Sequence, residues 1–312
     1  MNVIPYIKIA RFDHWFKNIF VLPGVLVAVY AQSELMTPML LPKVLLALLA
    51  TGFVASSNYV INELLDAPYD ALHPVKKSRP IPSGLVNSKL AVIEWIGLAA
   101  VGLGLASILG IKFFFIALAL WIMGCVYNIP PIRSKDKPYL DVLSESVNNP
   151  LRLLLGWTAT GSHLIPPLSL VIAYWMIGAF FMAVKRLGEY RRINDHQVSA
   201  EYRRSFQYYS EPKLLVSIIY YAVSFGLFFG LFLMRYKMEL ILSTPLIAGF
   251  IAWYIHLGFL DDSPAQYPEK LYRQKGFTLY CLLCGLVMQL LIFVDIPILY
   301  KIFESTIQTP LP

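Results

Sequence analysis

Long apolar runs constrain the fold of this chain more than any other feature. A helix of about 20 apolar residues crosses the hydrocarbon core of a bilayer, and the sequence has room for about nine such runs. Because lipid offers no partner to a free backbone amide, each run must be helical. The predicted spans are residues 18–33, 43–65, 89–109, 111–129, 140–159, 166–186, 213–234, 240–259 and 276–297. The sequence therefore predicts an all-α integral membrane protein with a single domain over residues 1–312.

The composition agrees with membrane insertion and argues against a nucleic-acid-binding protein. Only 14% of the residues are charged, whereas soluble proteins carry about 25%. The net charge of +7 is explained by basic loops at an anionic membrane surface, so we expect no nucleic acid partner. No small-residue cleavage site follows the first span, which is therefore not expected to be a signal peptide. Cys281 and Cys284 have a CxxC spacing within an apolar run, where packing is a better explanation than a zinc or redox site.

The basic residues predict the orientation. Of the 26 lysines and arginines, 20 lie on the side of the membrane that holds the N-terminus, and five lie on the other side. Arg152 remains inside a predicted span. Because cytoplasmic loops carry the excess of Lys and Arg, we expect a multi-pass inner-membrane protein with a cytoplasmic N-terminus and a C-terminus on the opposite side. The polar connections, and any site that they form, would then face the cytoplasm.

The strongest motif closes the second span. Asn58, Asn62, Asp66 and Asp70 recur every four residues and would share one helical face. Two carboxylates at the end of an apolar helix need a neutralising partner, and Mg²⁺ is a hard cation that binds carboxylates and phosphates together. Pro68 is expected to bend or unwind the last turn. The alternative is that the two aspartates are ordinary loop acids beyond the membrane edge.

A proline-rich basic loop follows this motif. Its Lys76, Lys77 and Arg79 would face an anionic ligand beside the metal. For Lys77 the orientation signal is an equally good explanation. For Arg79, which lies in a rigid proline-rich turn, substrate binding is favoured because guanidinium grips phosphate oxygens in a bidentate manner.

The fifth span carries a second polar pattern. Asp141, Glu145, Asn148 and Arg152 are four, three and four residues apart, which predicts a common helical face. Arg152 facing two acids is explained equally well by a structural ion pair and by substrate contact. Tyr127, at the end of the fourth span, is either an interfacial anchor or a phosphate ligand.

Two further sets of candidate ligands lie at the ends of the sixth and first spans. Lys185 and Arg186 directly follow an apolar run and are placed to meet a ligand, and Lys185 is expected to pair with Glu189 one turn later. Lys17 and Asn18 bring a cation and an amide to the start of the first span. Lys17 either snorkels to the interface or reaches a lipid phosphate.

These motifs resemble the UbiA prenyltransferase superfamily. The signature of that superfamily, Asn-Asp-x-x-Asp-x-x-x-Asp after the second helix, reads Asn62 to Asp70 here, with Glu63 in place of the usual Asp. The resemblance implies nine transmembrane helices around a central cytoplasm-facing cavity. It also implies that Asp66 and Asp70 bind magnesium on a diphosphate, with Asn62 orienting it.

The sequence departs from the usual superfamily pattern at two places. A second acidic pair after the sixth helix is replaced by Lys185 to Glu189, and the position four residues after Tyr127 is Pro131, not Lys. These departures, with the Trp-x-Lys-Asn entry at residues 15–18 and the His-Pro-x-Lys-x-x-Arg-Pro loop at residues 73–80, are similar to the branch that contains decaprenyl-phosphate phosphoribosyltransferase. By that resemblance the donor is phosphoribosyl pyrophosphate and the acceptor a polyprenyl phosphate.

Two alternatives remain open. Transfer of an isoprenyl group from a polyprenyl diphosphate to an aromatic or other small acceptor would use the same metal motif, and the missing second acidic pair counts against it. A lipid-phosphate transporter would need polar groups through the bilayer or on both faces, whereas the predicted clusters lie on one face.

Overall fold

A computed structural model of the chain describes residues 3–71, 76–193 and 204–303, and of residues 268–270 it describes the backbone alone. The α-helices in these ranges are α1 (Ile4–Ile9), α2 (Leu22–Ala31), α3 (Leu40–Asp70), α4 (Ser88–Ile108), α5 (Ile111–Asn128), α6 (Leu140–Ser146), α7 (Asn148–Ala159), α8 (Leu168–Ile193), α9 (Glu211–Tyr236), α10 (Thr244–Phe259), α11 (Lys275–Phe293) and α12 (Pro297–Ile302). Short 3₁₀ segments connect several of them.

The predicted all-α membrane fold is confirmed. Within the described residues, eight helical stretches are long and apolar enough to cross a membrane. The first of these runs from Ile4 to Ala31 and not from residue 18, because the 3₁₀ segment Phe12–Val21 joins α1 to α2. The other seven correspond to predicted spans, with their ends shifted by a few residues.

The predicted span over residues 140–159 is wrong as a single helix. It is interrupted at Val147, between α6 and α7. Pro150 accounts for the break, because it has no amide proton and its ring crowds the carbonyl group four residues earlier, that of Ser146. The polar residues before and after the interruption contact different partners, as described below.

Close helix packing sets the position of the N-terminal segment. A Cβ atom on Gly24 would overlap the Leu153 carbonyl oxygen, and one on Gly156 would overlap the Val21 carbonyl oxygen. Small residues let membrane helices approach to backbone contact in this way. The two glycines therefore hold α2 and the end of the 3₁₀ segment against α7.

The remaining helices pack on either side of this contact. The helices α3, α4, α5 and α7 share one apolar core, which includes Val54 and Phe113. The helices α6, α8, α9, α10 and α11 share another, in which Phe180, Tyr254 and Phe277 pack together. The polar side chains lie between these groups, at the end of the bundle where α3 ends and α9 begins. We call this end the polar end.

A smaller charged cluster lies at the opposite end of α9. The Lys237 ammonium group is 2.7 Å from the Asp295 carboxylate and 3.5 Å from that of Glu239. Glu239 also accepts a hydrogen bond from the Ile296 amide at 3.1 Å. These contacts tie the segment before α12 to the end of α9. These charges pair with one another, so this end of the bundle is less uniformly apolar than the sequence suggested, and no ligand is needed to explain the charges.

Candidate active site

Asp66 is the centre of a polar network between α3 and the segment that follows α5. Its carboxylate accepts hydrogen bonds from Arg133 at 2.9 Å and from Lys135 at 2.5 Å. Asn62, one turn earlier on α3, donates to Asp66 at 3.3 Å and to the Asn128 side chain at 2.6 Å. Lys135 also donates to Asn128, at 2.8 Å. The predicted four-residue spacing thus places Asn62 and Asp66 together. The end of α5 contacts Asn62, and the segment after α5 contacts Asp66.

Asp70 has its own cation. The Arg79 guanidinium lies 2.5 Å from the Asp70 carboxylate, and the Asp70 side chain is only 5% exposed. The predicted unwinding at Pro68 is wrong, because α3 remains helical to Asp70. The basic loop therefore folds back onto the helix that precedes it, and Arg79 is correctly grouped with the acidic motif.

The other residues of the basic loop are less tightly placed. Lys77 is exposed and Lys76 is half-buried, in the 3₁₀ turn Lys76–Ser78. Residues 73–75, which include the His-Pro part of the predicted loop motif, lie outside the described residues.

Glu63, the departure from the usual signature, has a structural role. Its carboxylate is buried, lies 3.0 Å from the Arg11 guanidinium and accepts a hydrogen bond from the Ile81 amide at 3.3 Å. It therefore ties the N-terminal segment and the basic loop to α3. The Arg11 contact could not be found from local spacing, because 52 residues separate the two partners.

Arg186 is enclosed by three carboxylates. Its Nε is 3.1 Å from the Asp141 carboxylate. One terminal nitrogen is 2.9 Å from the Glu145 carboxylate, and the other is 2.9 Å from that of Glu189. Tyr127 donates a hydrogen bond to the same Glu145 oxygen at 2.9 Å. The Arg186 side chain is 2% exposed. Four of the predicted site residues, Tyr127, Asp141, Arg186 and Glu189, therefore come together, in a cluster that joins α5, α6 and α8.

Asp141 is held by further donors from the segment before α9. Tyr209 donates to it at 2.6 Å and Ser205 at 3.3 Å. Burial, together with the neighbouring Asp141 carboxylate, raises the pKa of Tyr209, so its hydroxyl remains protonated and donates. The Asp141 carboxylate, which is fully buried, is thereby satisfied by protein groups.

Arg152 does not face the two acids that the sequence spacing suggested. Asp141 and Glu145 pair with Arg186, and the corresponding prediction for Arg152 is wrong. Its Nε is 3.4 Å from the Asn18 side-chain oxygen, and one terminal nitrogen is 3.3 Å from the carbonyl oxygen of Asn148. Arg152 is 7% exposed. It is thus a buried cation whose contacts within the described residues are neutral.

Two lysines have no carboxylate partner either within the described part of the chain. Lys17 lies 5.9 Å from the centre of the Tyr59 ring and makes no ion pair. Lys185 is half-buried and makes no hydrogen bond or ion pair. The predicted pair between Lys185 and Glu189 is not a close ion pair, because the Glu189 carboxylate binds Arg186, but Glu189 is the charge that acts most strongly on Lys185.

The donor set on α3 fits a magnesium ion. Mg²⁺ is normally held by one or two protein carboxylates, with water and substrate phosphate completing its coordination. Asp66 and Asp70 supply two carboxylates on successive turns, and the described residues contain no cluster of three or more His, Cys, Asp or Glu that would suit a closed protein site. The cations that neutralise both aspartates also show that this position accommodates positive charge.

Sequence reasoning missed three members of this network as site residues. Arg133 and Lys135 entered the orientation count and were otherwise noted only as the cations beyond Pro131, and Asn128 was not considered. The available signal was the Pro130-Pro131 pair between Asn128 and Arg133, because two prolines restrict the backbone at the end of α5.

Comparison with known families identifies the architecture. The sequence model of the UbiA prenyltransferase family matches residues 19–294. The chain belongs to the UbiA prenyltransferase family. Among curated proteins, decaprenyl-phosphate phosphoribosyltransferase of Mycolicibacterium smegmatis is 30% identical over 67% of this chain and 63% of the relative. The nodulation protein NoeC of Azorhizobium caulinodans is 28% identical over 65% and 62%, and protoheme IX farnesyltransferase of Shouchella clausii is 28% identical over 48% and 50%. The matched part therefore spans less than two thirds of these relatives.

Solved UbiA structures share the fold across nearly the whole chain. A UbiA homologue from Archaeoglobus fulgidus, bound to GPP and Mg²⁺, superimposes with a TM-score of 0.68 at 22% identity, covering 93% of this chain and 100% of that one. The same homologue bound to DMAPP and Mg²⁺ gives a TM-score of 0.69 at 21% identity, covering 93% and 99%. This similarity establishes the UbiA fold of an all-α, multi-pass membrane protein.

Proposed function

We propose that this protein is a magnesium-dependent transferase that moves the 5-phosphoribosyl group from phosphoribosyl pyrophosphate onto a polyprenyl phosphate and releases pyrophosphate. Three sets of observations support the proposal: the acidic motif on α3, the cations around it, and the decaprenyl-phosphate phosphoribosyltransferases among the relatives.

The observation that carries the proposal is the balance of charge at the polar end. One acidic pair, Asp66 and Asp70, is bordered by three cations, Arg79, Arg133 and Lys135. On α8, where the usual superfamily pattern expects a second acidic pair, Glu189 is committed to Arg186. A site with one acidic pair and many cations suits substrates that bring more phosphate than a single diphosphate does.

Substrate binding would exchange partners within this network. Asp66 and Asp70 would hold the metal, which when bound neutralises the pyrophosphate and stabilises the leaving charge. Arg79, Arg133 and Lys135 would then turn from the carboxylates to the phosphate oxygens, with which they form charge-assisted hydrogen bonds. Asn62, fixed by Asn128, would orient the assembly.

The reaction needs little from the protein beyond positioning and charge. The bond between ribose C1 and the pyrophosphate oxygen breaks, and the electron pair leaves with pyrophosphate. A phosphate oxygen of the lipid forms the new bond to C1. This oxygen is already anionic, so no general base is needed, and electrostatic stabilisation by the surrounding cations lowers the barrier.

We place this site at the cytoplasmic face of an inner membrane. Arg79, Arg133, Lys135 and Lys185 lie at the polar end, and such an excess of cations marks the cytoplasmic side. The N-terminal segment, with Arg11 against Glu63, lies at the same end. The C-terminal helix α12 packs near Glu239 at the other end.

Transfer can be tested directly with purified protein. Phosphoribosyl pyrophosphate labelled in the ribose, incubated with polyprenyl phosphate and Mg²⁺, should yield a labelled lipid. EDTA should abolish the product and added Mg²⁺ should restore it. The double variant D66N/D70N should lose activity by about 100-fold or more, since it removes the groups that hold the leaving pyrophosphate.

Asp13→Asn serves as the matched control, because that side chain is 76% exposed near the same end and should leave the rate unchanged. Absence of labelled lipid, with label transferred instead from a polyprenyl diphosphate to a small acceptor, would establish prenyl transfer in place of phosphoribosyl transfer. The GPP- and DMAPP-bound UbiA homologues make this the alternative to include in the same assay.

A further inference from the structure

Lys17, Arg152 and Lys185 are not explained by the acidic motif. They come from three different elements: the 3₁₀ segment Phe12–Val21, α7 and α8. Within the described residues, none of the three pairs with a carboxylate. Unpaired cations at the end of a membrane bundle are costly unless they meet an anion or lie in water.

The three cations form one group. Lys17 lies 5.9 Å from the centre of the Tyr59 ring, and Arg152 contacts Asn18, the residue after Lys17, at 3.4 Å. Electrostatic interactions connect the group further, since the charge on Lys17 acts on Lys185 and the Tyr59 hydroxyl group acts on Arg152. The close packing of α2 and the preceding 3₁₀ segment on α7 through two glycines places the N-terminal segment beside Arg152.

The nearby carboxylates already form ion pairs with other cations of the protein. Asp66 and Asp70 bind three other cations, and Glu145 and Glu189 bind Arg186. Glu189 and Glu145 still act on Lys185 over a longer distance, but no described carboxylate lies within 4 Å of any of the three cations. Arg152 is more than nine-tenths buried, and no described residue accepts a hydrogen bond from its second terminal nitrogen, which is therefore available to a ligand.

The position is separate from the acidic motif. Tyr59 precedes Asp66 by seven residues on α3, which is about 10 Å along the helix axis at 1.5 Å per residue. A pyrophosphate bound at Asp66 and Asp70 does not extend over that distance. We propose that Lys17, Arg152 and Lys185 form a second, metal-independent subsite that binds a phosphate monoester.

This subsite rests on the proposed function for the identity of its ligand. Two sources offer the same chemistry: the phosphate of the acceptor lipid and the 5-phosphate of the ribosyl donor. A guanidinium with two flanking ammonium groups binds either one, because it recognises the dianionic phosphate and not the group that bears it.

Binding without metal separates this subsite from the acidic motif. The full-length protein in detergent with EDTA is titrated calorimetrically with geranyl phosphate and with ribose 5-phosphate, and geraniol and ribose serve as phosphate-free controls. We expect saturable binding of at least one phosphate. Lys17→Gln and Lys185→Gln should each weaken it by about tenfold or more, the loss expected for one charge-assisted contact.

Matched variants show whether the phosphate binds at Lys17 and Lys185. Lys185→Arg keeps the charge and should retain binding. Lys112→Gln, exposed at the start of α5, should leave metal-free binding unchanged. Because Lys17 and Lys185 are only half-buried, their variants should fold even if Arg152 variants do not, and the melting temperature of each variant checks this.

Each result bears on the proposal. Binding of geranyl phosphate alone assigns the subsite to the lipid, binding of ribose 5-phosphate alone assigns it to the donor, and both outcomes support it. No phosphate binding, or binding that Lys17→Gln and Lys185→Gln weaken no more than Lys112→Gln does, overturns it. If phosphate binding fails while labelled lipid still forms from phosphoribosyl pyrophosphate, the subsite is wrong and the proposed transferase function stands.

Discussion

At the scale of single residues, the charged side chains at the polar end are of two kinds. Some have an ion-pair partner, and others have none within the described residues. Asp66, Asp70 and Asp141 each have cationic partners at hydrogen-bond distance. Lys17 and Lys185 have none within the described residues. On α3, the Asp66 side chain is 22% exposed and can exchange partners when a ligand binds, whereas the Asp70 side chain is 5% exposed. In the Arg186 cluster, Arg186 and Asp141 are buried and Glu145 is 32% exposed. We assign substrate chemistry to Asp66 and Asp70 because they form the acidic motif, and helix assembly to the Arg186 cluster because it joins α5, α6 and α8.

Arg186→Met tests that assignment. Removing the guanidinium leaves Asp141, Glu145 and Glu189 facing one another in a buried cluster, and losing one partner of a buried ion pair costs about 3–5 kcal/mol. We expect a clearly lower midpoint of thermal unfolding in detergent, measured by intrinsic fluorescence.

Arg192→Met provides the comparison on the same helix. That side chain is 44% exposed, and the ion pairs of exposed residues contribute about 0–1 kcal/mol, so its midpoint should stay close to wild type. Equal midpoints for the two variants would show that the Arg186 cluster does not stabilise the fold.

At the scale of elements, the contact between α2 and α7 determines where the N-terminal segment lies. Gly24 and Gly156 bring the two backbones together, and Asn18 thereby reaches Arg152. The break between α6 and α7 has a related effect, because it lets Asp141 turn to Arg186 while Arg152 contacts the N-terminal segment. One predicted span thus serves two different clusters.

Gly156→Leu should disrupt this contact. The added side chain would overlap the Val21 carbonyl oxygen, and overpacking of this kind costs about 1–3 kcal/mol. We expect a lower thermal-unfolding midpoint and weaker phosphate binding, since Lys17 and Asn18 would move away from Arg152.

Gly226→Leu on α9 is the control for helix propensity and hydrophobicity, because nothing lies within 4 Å of its Cβ position. It should unfold at the wild-type midpoint. If Gly156→Leu behaved in the same way, the close approach of α2 and α7 would not be a determinant of stability.

At the scale of the whole molecule, charge and apolar length together set the topology. Helical stretches long and apolar enough to cross a membrane alternate with connections, and the cationic connections gather at the polar end. The charges at the other end, Lys237, Glu239 and Asp295, pair among themselves. The asymmetry leads to the cytoplasmic orientation that we propose for the candidate site.

Thiol labelling tests the orientation. In a background in which Cys125, Cys281 and Cys284 are replaced by alanine, Ser83→Cys lies in an exposed part of the basic loop and Lys112→Cys at the opposite end of the bundle. A membrane-impermeant maleimide should label Lys112→Cys on the outer face of spheroplasts. It should label Ser83→Cys only after permeabilisation, and the reverse pattern would invert the proposed topology.

The fold class, most of the helices and the acidic motif follow from the amino-acid sequence alone. Apolar runs of bilayer length leave the chain no alternative to helices, and the four-residue spacing of Asn62 and Asp66 keeps both on one helical face whatever surrounds them. These features depend on local geometry and on the solvent, so they can be predicted from sequence alone.

Which carboxylate pairs with which cation depends on the tertiary structure. Local spacing suggested partners for Arg152 and Lys185 on their own helices, but the acids in question bind Arg186, and Arg133 with Lys135 came to Asp66 from another connection. A carboxylate pairs with the cation that helix packing brings nearest, and packing depends on contacts between residues far apart in the chain, such as Gly156 and Val21. For that reason the candidate residues can be identified from the sequence, whereas the fold determines which of them lack an ion-pair partner within the described residues.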